Sequence, residues 1–206
     1  MMAETPEPTE PKPKRRWYQY SLRSLFLVTL ALALWLGWIC HKANQQKKAV
    51  EAIRGLGGGV YYDCDFDANG HFDTNGEFDA KGHERPAWFR NLVGVDFLAS
   101  VNEAWLDDAR VSDAELEHLQ ALTKLTALDL SGTRVTDAGL EYLRGLTRLR
   151  FLDLSDTRVT NDGLKHLQGM TRLETLWLDG TQVTNEGAEQ LQAALPDCEI
   201  SHWPYD

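Results

Sequence analysis

The sequence predicts an α/β solenoid: about four 24-residue repeats, with parallel strands on a concave face and helices on the convex face, preceded by a single transmembrane helix. Three observations lead there. From Leu98 the chain repeats itself, with Leu98, Leu122, Leu146 and Met170 at intervals of 24. From Leu25 to Cys40 there is no charged residue. The charge is also split, with eight Lys/Arg against three Glu in residues 1–48 and 13 basic against 28 acidic residues in the remainder. The net charge of −10 therefore hides a basic front end and an acidic body.

Residues 1–16, MMAETPEPTEPKPKRR, are rich in Pro and charge and predict a disordered cytoplasmic tail. Residues 17–40 predict a signal-anchor helix. Leu25 to Cys40 alone spans about 24 Å at helical rise, short of a hydrocarbon core of about 30 Å. Adding Tyr20 to Ser24, with Arg23 snorkelling outward, makes up the length. Trp17, Tyr18 and Tyr20 at one end, and Trp35 and Trp38 at the other, sit where interfacial aromatics belong. A cleaved signal peptide would need an A-x-A site, and a lipoprotein signal would not place Ile39 before Cys40. A core helix would need a polar stripe, and none is present. Five basic residues (Lys12, Lys14, Arg15, Arg16, Arg23) precede the span and four (Lys42, Lys47, Lys48, Arg54) follow it, which puts the body outside the cytoplasm, periplasmic or at the cell surface.

Residues 41–59 predict a polar juxtamembrane helix stopped by Gly57, Gly58 and Gly59. Residues 60–97 predict a short strand over Val60 to Phe66, a hexapeptide loop, and a cap helix around Pro86 to Val93. Residues 98–206 hold the repeats and a closing half-repeat.

Three copies align over their whole length: LTKLTALDLSGTRVTDAGLEYLRG, LTRLRFLDLSDTRVTNDGLKHLQG and MTRLETLWLDGTQVTNEGAEQLQA; a weaker first copy is LASVNEAWLDDARVSDAELEHLQA. Within a unit, Leu128 and Leu130 share one strand face and point inward, because a strand has period two. Thr136, or Ser112 in the first copy, caps a helix; Ser112 and Glu115 form a capping box. Asp113, Asp137 and Asp162 place negative charge where the helix dipole favours it. Leu140, Leu143 and Leu146 return to the core, which only stacking can close. The L-x-x-L-x-L and V-T-D/N-x-G-x-E-x-L motifs, with this period, resemble bacterial leucine-rich repeat proteins related to the ribonuclease-inhibitor-like class. The resemblance covers Leu98 to Ile200, with Leu195 to Ile200 similar to a last half-repeat. The anchor followed by Gly58-Gly59-Val60-Tyr61-Tyr62-Asp63 resembles membrane-anchored members. Where such repeats often carry Asn or Cys, this chain has Ala109, Thr133, Thr157 and Thr181.

The outward strand positions form three columns: Glu103, Ala127, Phe151, Thr175; then Trp105, Asp129, Asp153, Trp177; then Asp107, Ser131, Ser155, Asp179. Four strands give a face about 15 Å wide, suited to a peptide or loop. Its acids and aromatics, Glu103, Trp105, Asp107, Asp129, Phe151, Asp153, Trp177 and Asp179, suit a Lys/Arg-rich segment through ion pairs and cation–π contact. Alternatively, Trp105 and Trp177 cover terminal structure while the Asps keep the face soluble.

The loop FDANGH-FDTNGE-FDAKGH, residues 66–83, holds a partial calcium-loop pattern. Asp65, Asp67, Asn69 and Asp73 are its candidate ligands, with Gly70 at the turn, but Gly76 stands where a bidentate acid belongs. Asn-Gly turns make a hairpin-like loop the favoured reading. Calcium aside, no cofactor is expected. Cys40, Cys64 and Cys198 read as separate thiols, with a Cys64–Cys198 disulfide as the alternative. His118 and His166 lie two repeats apart and cannot share a metal, and no phosphate-cradling loop or H-E-x-x-H is present, so no enzyme is predicted. The acidic body argues against nucleic acid. The expected function is that of a non-catalytic, membrane-anchored binding or scaffolding module for a protein or peptide, touching lipid through residues 17–40. The alternatives are a self-associating envelope protein and a calcium-responsive adhesive module.

Overall fold

The computed structural model describes residues 22–62, 100–106 and 110–203. The expected hexapeptide loop, cap helix and cytoplasmic tail lie outside these residues. The chain divides into two compact units, Met1–Ile39 and Cys40–Asp206. Helix α1, Leu22–Gly55, begins in the first. Its stretch from Leu25 to Trp38 exposes Leu25, Phe26, Leu27, Leu34, Trp35 and Trp38, which removes the core-helix reading. The helix is long and apolar enough to cross a membrane. Thr29, the one polar residue between Leu25 and Ile39, donates its hydroxyl back to Phe26 O at 2.9 Å.

In the second unit, Ala49, Val50 and Ile53 of α1 are buried in the repeat core. The helix ends at Gly55, just before the glycines Gly57, Gly58 and Gly59 expected to stop it. Gly58 N–H donates to Ile53 O at 3.0 Å and Gly57 N–H to Arg54 O at 3.1 Å, with Gly57 at φ +90°. This is a Schellman stop, and the left-handed residue in it favours glycine.

The six strands are β1 (Gly59–Tyr62), β2 (Val101–Trp105), β3 (Ala127–Asp129), β4 (Phe151–Asp153), β5 (Thr175–Trp177) and β6 (Glu199–Ser201), paired in chain order. β2 to β6 are parallel, as the repeats predict, and β1 pairs antiparallel with β2. Helices return on the other side: α2 (Asp113–Leu116, continued by a 3₁₀ turn Glu117–Ala121), α3 (Asp137–Leu143), α4 (Asn161–Leu164) and α5 (Asn185–Ala194).

The core follows the repeat. Leu128, Leu152 and Leu176 fill one layer and Leu130, Leu154 and Leu178 the next, all at most 2% exposed. Val135, Val159, the helix leucines Leu140 and Leu143, and Leu167 in the turn after α4 close it from the convex side. Full burial of each leucine contributes about 2 kcal/mol. The Thr133, Thr157 and Thr181 hydroxyls are buried, each donating to a carbonyl three residues back (Leu130, Leu154, Leu178) at 2.6 Å. Threonine thus satisfies locally what a larger amide would reach across the loop. Cys198 is a free buried thiol, pushed up to about 11 by burial and then by the Glu199 charge. Cys40 is free and exposed, and Cys64 is outside the described residues.

Neighbouring helices are clasped by a side chain that the dipole argument assigned elsewhere. Asp113 accepts from Thr136 N–H at 2.8 Å and Thr136 Oγ1 at 2.6 Å. Asp137 does the same for Thr160 at 2.8 and 2.7 Å. Asn161 accepts from Thr184 N–H at 2.9 Å, and its amide donates to Thr184 Oγ1 at 2.9 Å. Each helix start therefore holds the N-cap residue of the following repeat. The conserved-looking glycine of V-T-D/N-x-G has its reason here: a Cβ at Gly139, Gly163 or Gly187 would collide with Asp113, Asp137 or Asn161 respectively. Asp162 does none of this and pairs with Lys165 at the surface, which lowers its carboxyl, first through the hydrogen bond.

Candidate functional site

The outward positions of the sheet line up as the period requires. Glu103, Ala127, Phe151, Thr175 and Glu199 are successive partners across β2 to β6, and so are Trp105, Asp129, Asp153, Trp177 and Ser201. Glu103 and Phe151 are exposed, and Trp105, Asp129, Asp153 and Trp177 are half-buried. Asp129 and Asp153 stand one strand step apart, about 4.8 Å, with a tryptophan on either side.

Both aspartates are held by the turn that follows their strand. Asp129 Oδ1 accepts from Ser131 N–H and Asp153 Oδ1 from Ser155 N–H, each at 2.8 Å. This Asx arrangement fixes the side chain. The second oxygen of each has no partner among the described residues.

Two of the expected residues are engaged in closing the ends of the array. Trp105 packs against Tyr61 with ring centroids 4.3 Å apart at 55°, and a Cβ on the opposing Gly59 would collide with its indole. Asp179 accepts from Ser201 Oγ at 3.0 Å and from Trp203 N–H at 2.7 Å, which holds the C-terminal segment. Asp107 lies outside the described residues. Of the eight expected residues, Glu103, Asp129, Phe151, Asp153 and Trp177 remain on the open face.

Two further residues join them. Tyr61 pairs with Glu103 across the antiparallel β1, and Glu199 extends the column past Thr175. The face therefore has six strands and is about 24 Å wide, not the four strands and about 15 Å expected. Glu199 was within reach of the sequence, since it lies 24 residues after Thr175. Tyr61 was not, because alternation marks a strand but not its partner.

The calcium-loop residues Asp65, Asp67, Asn69 and Asp73 are outside the described residues. Among the described residues, no group of three or more His, Cys, Asp or Glu could hold a metal. His118 is exposed and His166 half-buried.

Solved structures similar to this chain include internalin C2 of Listeria monocytogenes, 21% identical with TM-score 0.36, over 49% of this chain and 42% of that one. A leucine-rich repeat protein of Leptospira interrogans is 21% identical with TM-score 0.32, over 41% and 27%. An internalin F of L. monocytogenes is 18% identical with TM-score 0.30, over 44% and 33%. The chain spans less than half the length of each. No curated protein matches it. The leucine-rich repeat family model matches residues 121–143 and 146–167, two units whose strands pair in register and whose leucines are buried at equivalent positions, so these two units are leucine-rich repeats and the other parallel strands continue their period.

Proposed function

We propose that this protein is a non-catalytic, membrane-anchored binding module whose concave face takes a short Lys/Arg-rich segment of a partner protein. The observation that carries it is the adjacent pair Asp129 and Asp153, each with one unpartnered oxygen, between Trp105 and Trp177. Two carboxylates a strand step apart repel, and a cation between them relieves that repulsion. Trp177, one strand from Asp153, brings an aromatic ring to the same cation or its neighbour in sequence. Support for the anchor comes from the exposed apolar run of α1, its satisfied Thr29 hydroxyl and the basic residues flanking it. The body is placed outside the cytoplasm on that flanking charge. The finer kinship, with membrane-anchored bacterial arrays of the ribonuclease-inhibitor-like class, rests on the 24-residue unit and the V-T-D/N-x-G motif.

The test uses the full-length chain in detergent micelles, titrated with a fluorescent Lys/Arg-rich peptide. Asp129→Asn with Asp153→Asn keeps the oxygen that receives the serine N–H and removes the charge. Binding is expected to weaken by about tenfold or more and to lose most of its salt dependence. Equal affinity in wild type and double variant sinks the reading.

A further inference from the structure

We propose that the edge from which the parallel strands start is a second docking surface, which takes a short acidic peptide segment through Lys124, Arg148 and Arg172. Each of these residues sits in the turn three positions before a strand: β3, β4 and β5 in order. They are 24 residues apart, so they stack one strand step, about 4.8 Å, from one another. All three are exposed, and none has an ion-pair or hydrogen-bond partner for its side chain among the described residues. Thr123, Thr147 and Thr171 precede them, also exposed, so each rung offers a hydroxyl beside a cation.

Three like charges in a column repel one another, and this happens in a body where acids outnumber bases about two to one. An anionic partner reverses the sign of that cost. The space between the rungs is already shaped for one. A cleft of about 480 Å³ opens among Arg148, Arg150, Arg172 and Thr171, and a carboxylate is seated in it. Glu174 lies on the Arg150 guanidinium with Nε and Nη2 each 2.7 Å from a carboxylate oxygen. That contact holds the Glu174 carboxyl below its usual range, chiefly through the hydrogen bonds. The Arg150 guanidinium also lies 5.4 Å from the Phe151 ring centroid.

The chemistry favours carboxylates on a short peptide. Glu174 and Asp197 also line the cleft and disfavour a dianionic phosphate. A long polyanion would run from three cations onto an acidic body and be repelled there. An extended peptide carries side chains every ~3.4 Å along alternate faces, which lets two or three acids reach rungs spanning about 10 Å. Arginine adds bidentate geometry that a point charge lacks. The segments after the strands carry Arg134 and Arg158, but with Asp137, Asp156 and Asp162 within four residues of them in sequence. The proposal uses residues and charge unlike those of the concave face and stands apart from it.

The experiment measures anisotropy of a labelled Glu/Asp-rich peptide of about twelve residues on the full-length chain in detergent micelles. The double variant Arg148→Glu with Arg172→Glu is expected to lose about tenfold or more in affinity, the milder Arg148→Gln with Arg172→Gln about threefold or more, and Asp129→Asn with Asp153→Asn nothing. Unchanged binding in the glutamate variant overturns the proposal. So does tighter binding of inorganic phosphate or heparin than of the peptide, which would mean a general anion surface. The substituted side chains are exposed, so an unchanged thermal midpoint shows that each variant is folded.

Discussion

The interior junctions of the array and its two ends solve the same problem differently. Inside, each helix start is tied to the next by an Asp or Asn that reaches across to a threonine, and glycine makes room for it. At α2, the first helix of the array, no such side chain reaches Ser112 among the described residues. In the slot where later copies carry glycine it has Glu115, whose carboxylate accepts from Ser112 N–H at 2.8 Å and Ser112 Oγ at 2.7 Å. The sheet ends differ as well. At the start, antiparallel β1 covers the edge with Tyr61 against Trp105; at the finish, Asp179 secures Ser201 and Trp203. The same position in the repeat therefore takes glycine where a side chain of the preceding unit enters, and a self-capping glutamate in α2.

Substituting the glycines separates the two regimes most sharply. Gly163→Ala forces a methyl into the Asp137 carboxylate and is expected to cost about 2–3 kcal/mol in urea unfolding. Gly145→Ala meets nothing within 4 Å and is expected to be neutral or to stabilise by about 0.5 kcal/mol. Equal losses at both sites would mean that the clasp does not dictate the glycine.

Next in size is the clasp itself. Asp137→Ala is expected to lose about 1.5–2 kcal/mol, with a double-mutant cycle to Thr160→Ala recovering most of it as coupling. Asp137→Asn should cost well under half as much, because Asn161 already clasps Thr184 through an amide.

In α2, Glu115→Gln is expected to cost about 1 kcal/mol at neutral pH. Hydrogen bonds from the Ser112 side chain, and then its backbone, lower the Glu115 carboxyl from 4.5. A group lowered in the folded state stabilises fully above its unfolded value and loses that contribution as pH falls through its folded value. The gap between wild type and Glu115→Gln should therefore close on acidification below about 4.5, and no such closure should accompany Gly163→Ala. The smallest effect is spectroscopic. Glu174 should titrate below the ordinary carboxylate range by NMR and return to it in Arg150→Ala, with little change in stability because the pair is exposed.

The interior was largely legible in the sequence because periodicity carries it. Leu128 and Leu152 are inward by period two and superposed by period 24, and the partner register follows without further information. The Ser112–Glu115 box was equally local. What escaped were contacts between units and at the ends. Asp113 and Asp137 look like helix-dipole residues in one dimension; that they reach residues 23 positions on depends on how closely the helices stack. β1 pairs with a strand 39 to 46 residues further along the chain, and nothing in Val60-Tyr61-Tyr62 names that partner. On the candidate face, the column positions followed from the repeat. The alternative that Trp105 covers terminal structure holds in its packing on Tyr61, whereas the engagement of Asp179 in end closure was not legible, since it depends on those same end contacts.

The clasp also runs one way only: each unit extends a side chain toward its successor and receives one from its predecessor. Any middle unit can thus be duplicated or deleted as a block, between one threonine cap and the next, and the joint re-forms from its own residues. A terminal unit has no such freedom, because its closing contacts fit no other neighbour. Lengthening by internal copying of residues 137–160 or their equivalent would then give each copy one acid for the unit after it, as Asp137, and one glycine for the acid before it, as Gly139.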